Sequence, residues 1–220
     1  MTKDKQLCII GIASSYTAEV IEIAEATGYR IAVLIDNLEN GHPLPAYNGY
    51  ITTGLSGLPD EYKCCDCACA VTTPHYRHLI IQQAIIAGFS SFPQIAHPSA
   101  CISKTVTAKD GLLLNAGAVI ASGTQIGRFC IINRSCSLGH HNIIGDYVTL
   151  SPAAVTTGGV IIKDSAYVGA GAIILPGVTI GSNAIVGAGA VVREDVPDSC
   201  LAAGVPAVIK RTGIEGYRGR

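Results

Sequence analysis

In the second half of the chain, aliphatic residues recur at every sixth position. From 114 to 192 they are Leu114, Ile120, Ile126, Ile132, Leu138, Ile144, Leu150, Ile162, Val168, Ile174, Ile180, Val186 and Val192. Within this run, Thr156 takes the one sixth position that has no aliphatic residue. Ala108 takes the sixth position that precedes Leu114. Glycine often follows the aliphatic residue, and a small or β-branched residue stands four places after it. This period predicts short strands joined by tight corners.

Three such units make one triangular coil, so that residues eighteen apart stack at about 4.8 Å per coil. Residues 102–196 then form about five coils. We predict an all-β, left-handed parallel β-helix over residues 98–220, with a tail at its end. Its left-handed crossovers would be an exception to the usual right-handed rule.

The first half of the chain has a different period, in which short apolar runs alternate with helical spacing. Strands are predicted at 7–10, 31–35, 67–71 and 90–95, and helices at 17–26 and from Pro74 up to Gly88. This βαβ pattern predicts a small α/β, Rossmann-like domain over residues 1–97, with ligands near the carboxyl ends of its parallel strands.

The first strand-to-helix turn lacks the glycines of a dinucleotide site. Residues 11–16 read Gly-Ile-Ala-Ser-Ser-Tyr, with one glycine where a G-x-G-x-x-G fingerprint needs three. NAD binding is therefore not expected. The small residues of this turn could still hold a phosphate at the helix N-terminus, or form a tight turn without a ligand.

Composition narrows the function classes. The net charge is −1, which does not fit a nucleic-acid binder, and no apolar run is long enough to span a membrane. The N-terminus does not resemble a signal peptide, and we expect a cytoplasmic protein. Charged residues make up only 14% of the chain, which favours a surface partly covered by copies of itself.

A cysteine cluster at residues 64–69, Cys-Cys-Asp-Cys-Ala-Cys, raises the question of a metal site. The chain offers no second Cys/His pair at zinc-finger spacing. Alternate strand residues share a face, so Cys67 and Cys69 are expected to be small core residues on one face. We expect free thiols and no metal.

Two segments carry a resemblance to a known family. Residues 138–146 read Leu-Gly-His-His-Asn-Ile-Ile-Gly-Asp, and residues 203–207 read Ala-Gly-Val-Pro-Ala. With the order of the two domains, they make nearly the whole chain resemble the NeuD/PglD-like family of sialic-acid O-acetyltransferases and bacillosamine N-acetyltransferases. The resemblance implies a homotrimer. It places each active site between neighbouring β-helices, with acetyl-CoA along the side of the helix and a nucleotide-sugar in the N-terminal domain.

The resemblance places the catalytic base at His140. Acetyl transfer needs a base for the nucleophile's proton, and histidine suits neutral pH. One coil on, Gly158 would leave space beside the imidazole; the alternative is a surface histidine at a corner.

Two positions depart from the family: His141 stands where relatives usually have an acidic residue, and Thr149 stands where a histidine commonly contacts acetyl-CoA. The departures allow a slower enzyme, a substrate that arrives deprotonated, a carboxylate from another subunit, or lost activity; Asp146 is the nearest carboxylate in sequence.

The resemblance also implies a coenzyme groove. Ala170 and Ala188 match positions that line it, and their spacing of eighteen would stack them on one edge. Lys210 and Arg211 could meet the coenzyme phosphates. The alternatives are that alanine merely suits a corner and that the two cations belong to a polar tail.

For the nucleotide-sugar, the resemblance points to the carboxyl ends of the N-terminal strands. Ala13, Ser14 and Ser15 fall in the family's phosphate-holding turn. Asp36 and Asn37 fall where relatives face uracil or ribose, and Arg77, with Thr72 and Thr73, could complete the pocket. His42, His75 and His97 are expected to be loop residues.

The sequence therefore favours acetyl transfer from acetyl-CoA to an amino group on a nucleotide-linked sugar, with His140 as base. The alternatives are O-acetylation of sialic acid or a related sugar, and a non-catalytic trimeric binding or scaffold protein. A γ-class carbonic anhydrase needs three histidine ligands, whereas the repeat holds only the adjacent His140 and His141.

Overall fold

The structure is a computed structural model that describes residues 5–38, 47 and 49–218. His42 lies outside the described residues. Within the described ranges, neither α-helix is long and apolar enough to cross a membrane.

The N-terminal region is a four-stranded parallel sheet with two helices. The strands, in chain order, are β1 (Lys5–Ile10), β2 (Tyr29–Asp36), β3 (Thr52–Gly54) and β4 (Asp66–Cys69), and their order across the sheet is β3-β2-β1-β4. The helices are α1 (Thr17–Ala26) and α2 (Pro74–Ile86), and a 3₁₀ turn spans Asp60–Tyr62. His75 lies in α2, so the expectation that it is a loop residue is wrong. The predicted strands at 7–10 and 31–35 and both predicted helices are confirmed, and the strand predicted at 67–71 is present but ends at Cys69.

The predicted fourth strand at 90–95 is wrong. The fourth strand of this sheet is β3, three residues without an aliphatic side chain, which gave no periodic signal. Residues 90–94 form no strand, and Ile95 pairs instead with Leu113 of the β-helix. Pro93 has no N–H to give to a strand ladder, which disfavours a strand through this stretch.

The two faces of the small sheet have different partners. On one face Leu7, Ile9 and Ala68 share a core with α1 and with Leu113 and Ile131 of the β-helix. On the other face Cys8, Cys67 and Cys69 share a core with α2. The prediction that Cys67 and Cys69 lie together as core residues is confirmed, and burial raises the pKa of the Cys69 thiol to about 11. The described residues contain no group of three or more His, Cys, Asp or Glu side chains placed to hold a metal ion.

The rest of the chain winds into a parallel β-helix with three sheets. The eight-stranded sheet contains β5 (Ile95–Ala96), β8 (Leu113–Leu114), β11 (Ile131–Ile132), β14 (Thr149–Leu150), β17 (Tyr167–Val168), β20 (Ile185–Val186), β22 (Cys200–Ala203) and β23 (Val208–Thr212). The six-stranded sheet contains β6 (Cys101–Ile102), β9 (Val119–Ile120), β12 (Ser137–Leu138), β15 (Val155–Thr156), β18 (Ile173–Ile174) and β21 (Val191–Val192). The five-stranded sheet contains β7 (Thr107–Ala108), β10 (Gln125–Ile126), β13 (Ile143–Ile144), β16 (Ile161–Ile162) and β19 (Thr179–Ile180).

The six-residue period sets the register of this β-helix. Through the regular coils each strand pairs with the one eighteen residues on, as in Gln125 with Ile143, which confirms the predicted stacking. The second residue of each strand points inward, and the small residue four places on fills the interior beside it, giving one continuous core along the coils. The last strand, β23, departs from this rule and runs antiparallel to β22.

Three corners join the three sheets, and each corner lies opposite one sheet. The six–five corner includes residues 139–142, between β12 and β13. The eight–six corner includes 169–172 and 187–190, and the five–eight corner includes 127–130 and 145–148. The N-terminal region packs on the eight-stranded sheet, where Leu113 and Ile131 point outward into its core. The six–five corner is therefore on the side of the prism away from the N-terminal region.

Candidate functional site

Two exposed histidines occupy the six–five corner. The Nδ1 atoms of His140 and His141 are 3.1 Å apart, and the two rings meet edge to face at 79°. His141 adopts a left-handed backbone, with φ of 56°, which turns the chain and brings consecutive side chains together. The resemblance placed the base and its neighbour at these two residues, and the structure brings both imidazoles into one surface pair.

Each imidazole lies over a glycine of an adjacent coil. A Cβ atom at Gly158 would come within 2.5 Å of His140 Cε1, and one at Gly123 would come within 2.8 Å of His141 Cδ2. Both distances are shorter than real carbon contacts, so a side chain at either position would displace a ring. The predicted space for His140 over Gly158 is confirmed.

Buried polar groups behind the corner hold its backbone. Asn142 is fully buried, its Nδ2 donates to Thr156 Oγ1 at 2.6 Å, and its Oδ1 accepts from the Val160 amide at 2.8 Å. Thr124 Oγ1, one coil back, donates to the Gly139 carbonyl at 2.9 Å. Sequence reasoning missed this network. Its signal was Thr156, the break in the aliphatic period, because a hydroxyl inside an apolar prism needs a partner.

The histidine contact constrains where protons sit. One Nδ1 must donate and the other must accept, because two donors or two acceptors would repel each other. When His140 donates, its Nε2 keeps a lone pair and can take up a proton, while His141 Nδ1 accepts the hydrogen bond. Asp146 does not take this role, because it lies at the five–eight corner and its Oδ1 accepts from the Arg128 amide at 2.7 Å.

A second feature is a cleft of about 660 Å³ at the carboxyl ends of the N-terminal strands. Ala13, Ser14 and Ser15 line it from the turn before α1, and Asn37 lines it from the end of β2. Thr72 and Thr73 line it from the segment after β4. Four of the six predicted substrate residues therefore share one cleft, at the edge where ligands of parallel α/β sheets bind.

The other two predicted substrate residues are placed elsewhere, and these predictions are corrected. Asp36 is buried, and its Oδ1 accepts from the Leu38 amide at 3.0 Å, so it shapes the turn beside the cleft. Arg77 is only 2% exposed and does not line the cleft. Helix α2 begins at Pro74 and directs Arg77 inward, toward the β-helix.

The guanidinium of Arg77 donates its hydrogen bonds to oxygen atoms of the protein. Its Nε donates to Phe129 O at 2.8 Å, its Nη1 to Val71 O at 2.9 Å, and its Nη2 to Tyr147 O at 2.6 Å. Burial lowers the pKa of this guanidinium. The residue joins α2, the segment after β4 and the five–eight corner, and it has no donor directed at a ligand.

The expectation that Thr149 contacts acetyl-CoA is also corrected. Thr149 is 1% exposed, on the part of the eight-stranded sheet that the N-terminal region covers. Its hydroxyl donates to Thr72 O at 2.7 Å and accepts from Arg77 Nη2 at 2.9 Å. A coenzyme outside the β-helix cannot reach it.

The other four predicted coenzyme residues lie at the surface of the β-helix. Ala170 and Ala188 are exposed and stack at the eight–six corner, where the Gly189 amide donates to Ala170 O at 2.8 Å. Lys210 and Arg211 are exposed on β23. Within one chain, the alanine edge and His140 lie on the two corners that flank the six-stranded sheet.

The comparisons with known proteins agree with this architecture. Residues 159–194 match the family model described as bacterial transferase hexapeptide (six repeats). GDP-perosamine N-acetyltransferase from Escherichia coli O157:H7 is 34% identical over 100 residues, a match that spans 46% of this chain and only 45% of that protein.

Two solved structures match nearly end to end. PerB from Caulobacter crescentus, in complex with CoA and GDP-perosamine, is 34% identical with a TM-score of 0.83, over 95% of this chain and 99% of that one. The acetyltransferase domain of PglB from Neisseria gonorrhoeae, in complex with acetyl coenzyme A, is 29% identical with a TM-score of 0.81, over 94% of this chain and all of that one. The chain belongs to the NeuD/PglD-like family of hexapeptide-repeat sugar acyltransferases.

Proposed function

We propose that this protein transfers the acetyl group of acetyl-CoA to the amino group of a nucleotide-linked sugar. The observation that carries the proposal is the exposed His140 imidazole, held by a 3.1 Å contact to His141 and lying over Gly158. The near full-length similarity to a relative in complex with CoA and GDP-perosamine supports the substrate class.

In the proposed reaction, His140 is the general base. Its Nε2 takes a proton from the amine as the amine nitrogen bonds to the thioester carbonyl carbon. The C–S bond then breaks, and the proton passes from His140 to the coenzyme sulfur. His141 accepts the His140 Nδ1–H throughout, so it orients the ring and supports the transient imidazolium. This is the role that an acidic neighbour would fill in relatives.

The nucleotide part of the acceptor belongs in the N-terminal cleft. Ala13, Ser14 and Ser15 form the turn that leads into α1, where backbone amides and the helix dipole favour a phosphate. Asn37 and Thr73 supply polar groups on the two sides of the cleft. We assign residues 1–97 as a Rossmann-like nucleotide-sugar-binding domain on this basis.

The positions of the two features favour a site that two chains share. The cleft lies with the N-terminal region on the eight-stranded sheet, whereas His140 lies at the corner opposite that sheet. This placement favours an acceptor that reaches the base of a neighbouring chain over one that reaches the base of its own chain. We propose a homotrimer in which the cleft of one chain serves the His140 corner of a neighbour, with acetyl-CoA along the Ala170 and Ala188 edge.

The surface beside His140 fits such an assembly. Outward-pointing apolar residues form columns on the two sheets that meet at the six–five corner. They are Val119 and Ile173 on the six-stranded sheet, 43% and 38% exposed, and Ile143 and Ile161 on the five-stranded sheet, 48% and 37% exposed. Ile143 and Ile161 are neighbours on adjacent coils, whereas Ser137 separates Val119 from Val155 and Ile173. Exposed apolar side chains grouped on one surface favour contact with another chain. The nine free thiols fit a reducing, cytoplasmic setting for this enzyme.

The test is thiol release from acetyl-CoA with GDP-, UDP- and dTDP-linked amino sugars, and with sialic acid. The wild type is expected to turn over a nucleotide-linked amino sugar, and His140→Ala is expected to lower kcat by about 10²–10⁴-fold. His97→Ala, a histidine outside the site whose Nδ1 contacts Ser99 Oγ at 2.8 Å, is the matched control. Turnover that survives His140→Ala would overturn the base assignment. Coenzyme binding without turnover on any acceptor would favour a scaffold protein.

A further inference from the structure

The cleft has a third wall that comes from the far end of the chain. Tyr217 and Arg218 line it together with the N-terminal turn. The preceding residues run back along the β-helix, where the Ile214 amide donates to Ser199 O at 3.0 Å and Gly216 packs beside Asn183. The end of the chain thus crosses the β-helix to reach the N-terminal region.

An aromatic stack fixes this segment in place. The rings of Tyr217 and Tyr167 are parallel within 2°, and their centroids are 3.6 Å apart. Tyr167 points outward from β17 of the eight-stranded sheet, so it is a rigid platform. The Arg218 guanidinium lies 5.5 Å from the centroid of the Tyr217 ring, within the range of a cation–π contact. The segment therefore presents a positive charge at a defined edge of the cleft.

Arg218 is also the single charged residue among the described residues that line the cleft. The other lining residues are small, apolar, hydroxyl-bearing or amide-bearing. Arg77, the cation expected there from the sequence, is buried and donates to main-chain carbonyls. A nucleoside diphosphate brings two phosphates, and neutral hydroxyls and amides alone would leave their charge without a counter-ion.

We propose that Arg218 binds the diphosphate of the nucleotide-sugar, and that the stack of Tyr217 on Tyr167 positions it for this role. The inference rests on the proposed function, which puts a nucleotide-linked sugar in the cleft. A guanidinium matches phosphate oxygens with two parallel N–H donors, which the hydroxyls of Ser14 and Ser15 cannot do. The diphosphate would lie between Arg218 and the turn before α1.

The kinetic test varies the nucleotide-sugar at saturating acetyl-CoA. Arg218→Gln is expected to raise the KM for the nucleotide-sugar by about 10–100-fold, the range for losing a hydrogen bond to a charged group. The KM for acetyl-CoA is expected to stay the same. Arg218→Lys should recover part of the loss, and Tyr167→Ser should raise the same KM by releasing the stack. Arg30→Gln is the matched control, because Arg30 is exposed near the amino end of β2, away from the cleft.

Calorimetric titration with GDP, guanosine and inorganic pyrophosphate tests the site without turnover. Arg218→Gln should weaken GDP and pyrophosphate and leave guanosine unchanged, with a thermal midpoint equal to that of the wild type. Unchanged GDP binding, or a rise in the KM for acetyl-CoA instead, overturns the assignment. If no amino sugar is turned over but Arg218→Gln still loses GDP, the proposed function fails and the diphosphate site stands.

Discussion

At the scale of single residues, the site depends on two imidazoles and the two glycines beneath them. The family resemblance implies an acidic residue at the position of His141, whose Nδ1 lies 3.1 Å from that of His140. A neutral imidazole accepts a hydrogen bond through Nδ1 as a carboxylate oxygen would, though with less charge. In the proposed reaction, the replacement therefore preserves the orientation of His140 as the base. Asn142 adds rigidity from inside the prism through its bonds to Thr156 and Val160.

Gly158→Ala tests this packing. The new Cβ would lie 2.5 Å from His140 Cε1, so the ring has to move. We expect kcat to fall by about 10–100-fold, since a displacement near 1 Å costs about this much, with little change in the thermal midpoint. Gly158 does not adopt a positive φ. Alanine at this position therefore adds no backbone strain that would itself lower kcat.

Gly57→Ala is the control for that substitution. Gly57 also lacks a positive φ, and its nearest neighbour, Thr53 Oγ1, would be 3.7 Å from the new Cβ. Equal kcat values for the two variants would contradict the assigned position of the His140 ring.

At the scale of elements, one buried arginine joins helix α2 to the β-helix. Arg77 donates to Val71 at the end of the small sheet and to Phe129 and Tyr147 at the five–eight corner. These carbonyls belong to non-regular segments, so ladder hydrogen bonds do not pair them. The arginine therefore holds the N-terminal region, and with it the cleft, in one orientation on the eight-stranded sheet.

Arg77→Met tests this role. Methionine fills similar space but leaves several buried carbonyls without donors, each costing about 1–3 kcal/mol. We expect the free energy of unfolding to drop by about 3 kcal/mol or more in urea titrations at equal chain concentration. Arg128→Met is the control, an exposed arginine next to Phe129, and should change stability by less than about 0.5 kcal/mol. Similar midpoints for the two variants would show that Arg77 does not join the two parts.

At the scale of the whole molecule, the parts of the site face away from one another. The cleft, the alanine edge and the His140 corner are distributed around the prism, and this arrangement is the basis of the proposed site shared between neighbouring chains. Apolar residues line both sheets beside His140, whereas the eight-stranded sheet is covered by the chain's own N-terminal region. The uncovered sheets are therefore the surfaces left for assembly.

Ile173→Asp tests the assembly. A carboxylate in the apolar column of the six-stranded sheet would be desolvated in a trimer, so we expect monomers in light scattering and loss of turnover. Ile86→Asp, which replaces an isoleucine that is 84% exposed at the end of α2, should stay trimeric and active. A fully active Ile173→Asp monomer would contradict a site shared between chains.

The sequence by itself determined the repeated part of the protein and the local elements of the rest. The six-residue period predicted which side chain of each strand points inward and which residues stack, because each coil contacts only its neighbours. Apolar runs and the bounding glycines and prolines likewise predicted three strands and both helices of the N-terminal region. The family motif placed His140 over Gly158, eighteen residues away, which the same period makes a neighbour.

Only the tertiary structure decided which residues lie at the interface between the N-terminal region and the β-helix. Arg77 donates a hydrogen bond to the carbonyl of Phe129, which is 52 residues away in sequence. The Tyr217 ring stacks on that of Tyr167, which is 50 residues away in sequence. The spacing of neither pair matches a sequence repeat. The sequence pattern therefore did not predict that Arg77 and Thr149 would be buried, or that Arg218 would line the cleft. Such contacts depend on how one folded surface fits another, and that fit is a property of the packed molecule and not of any local stretch of sequence.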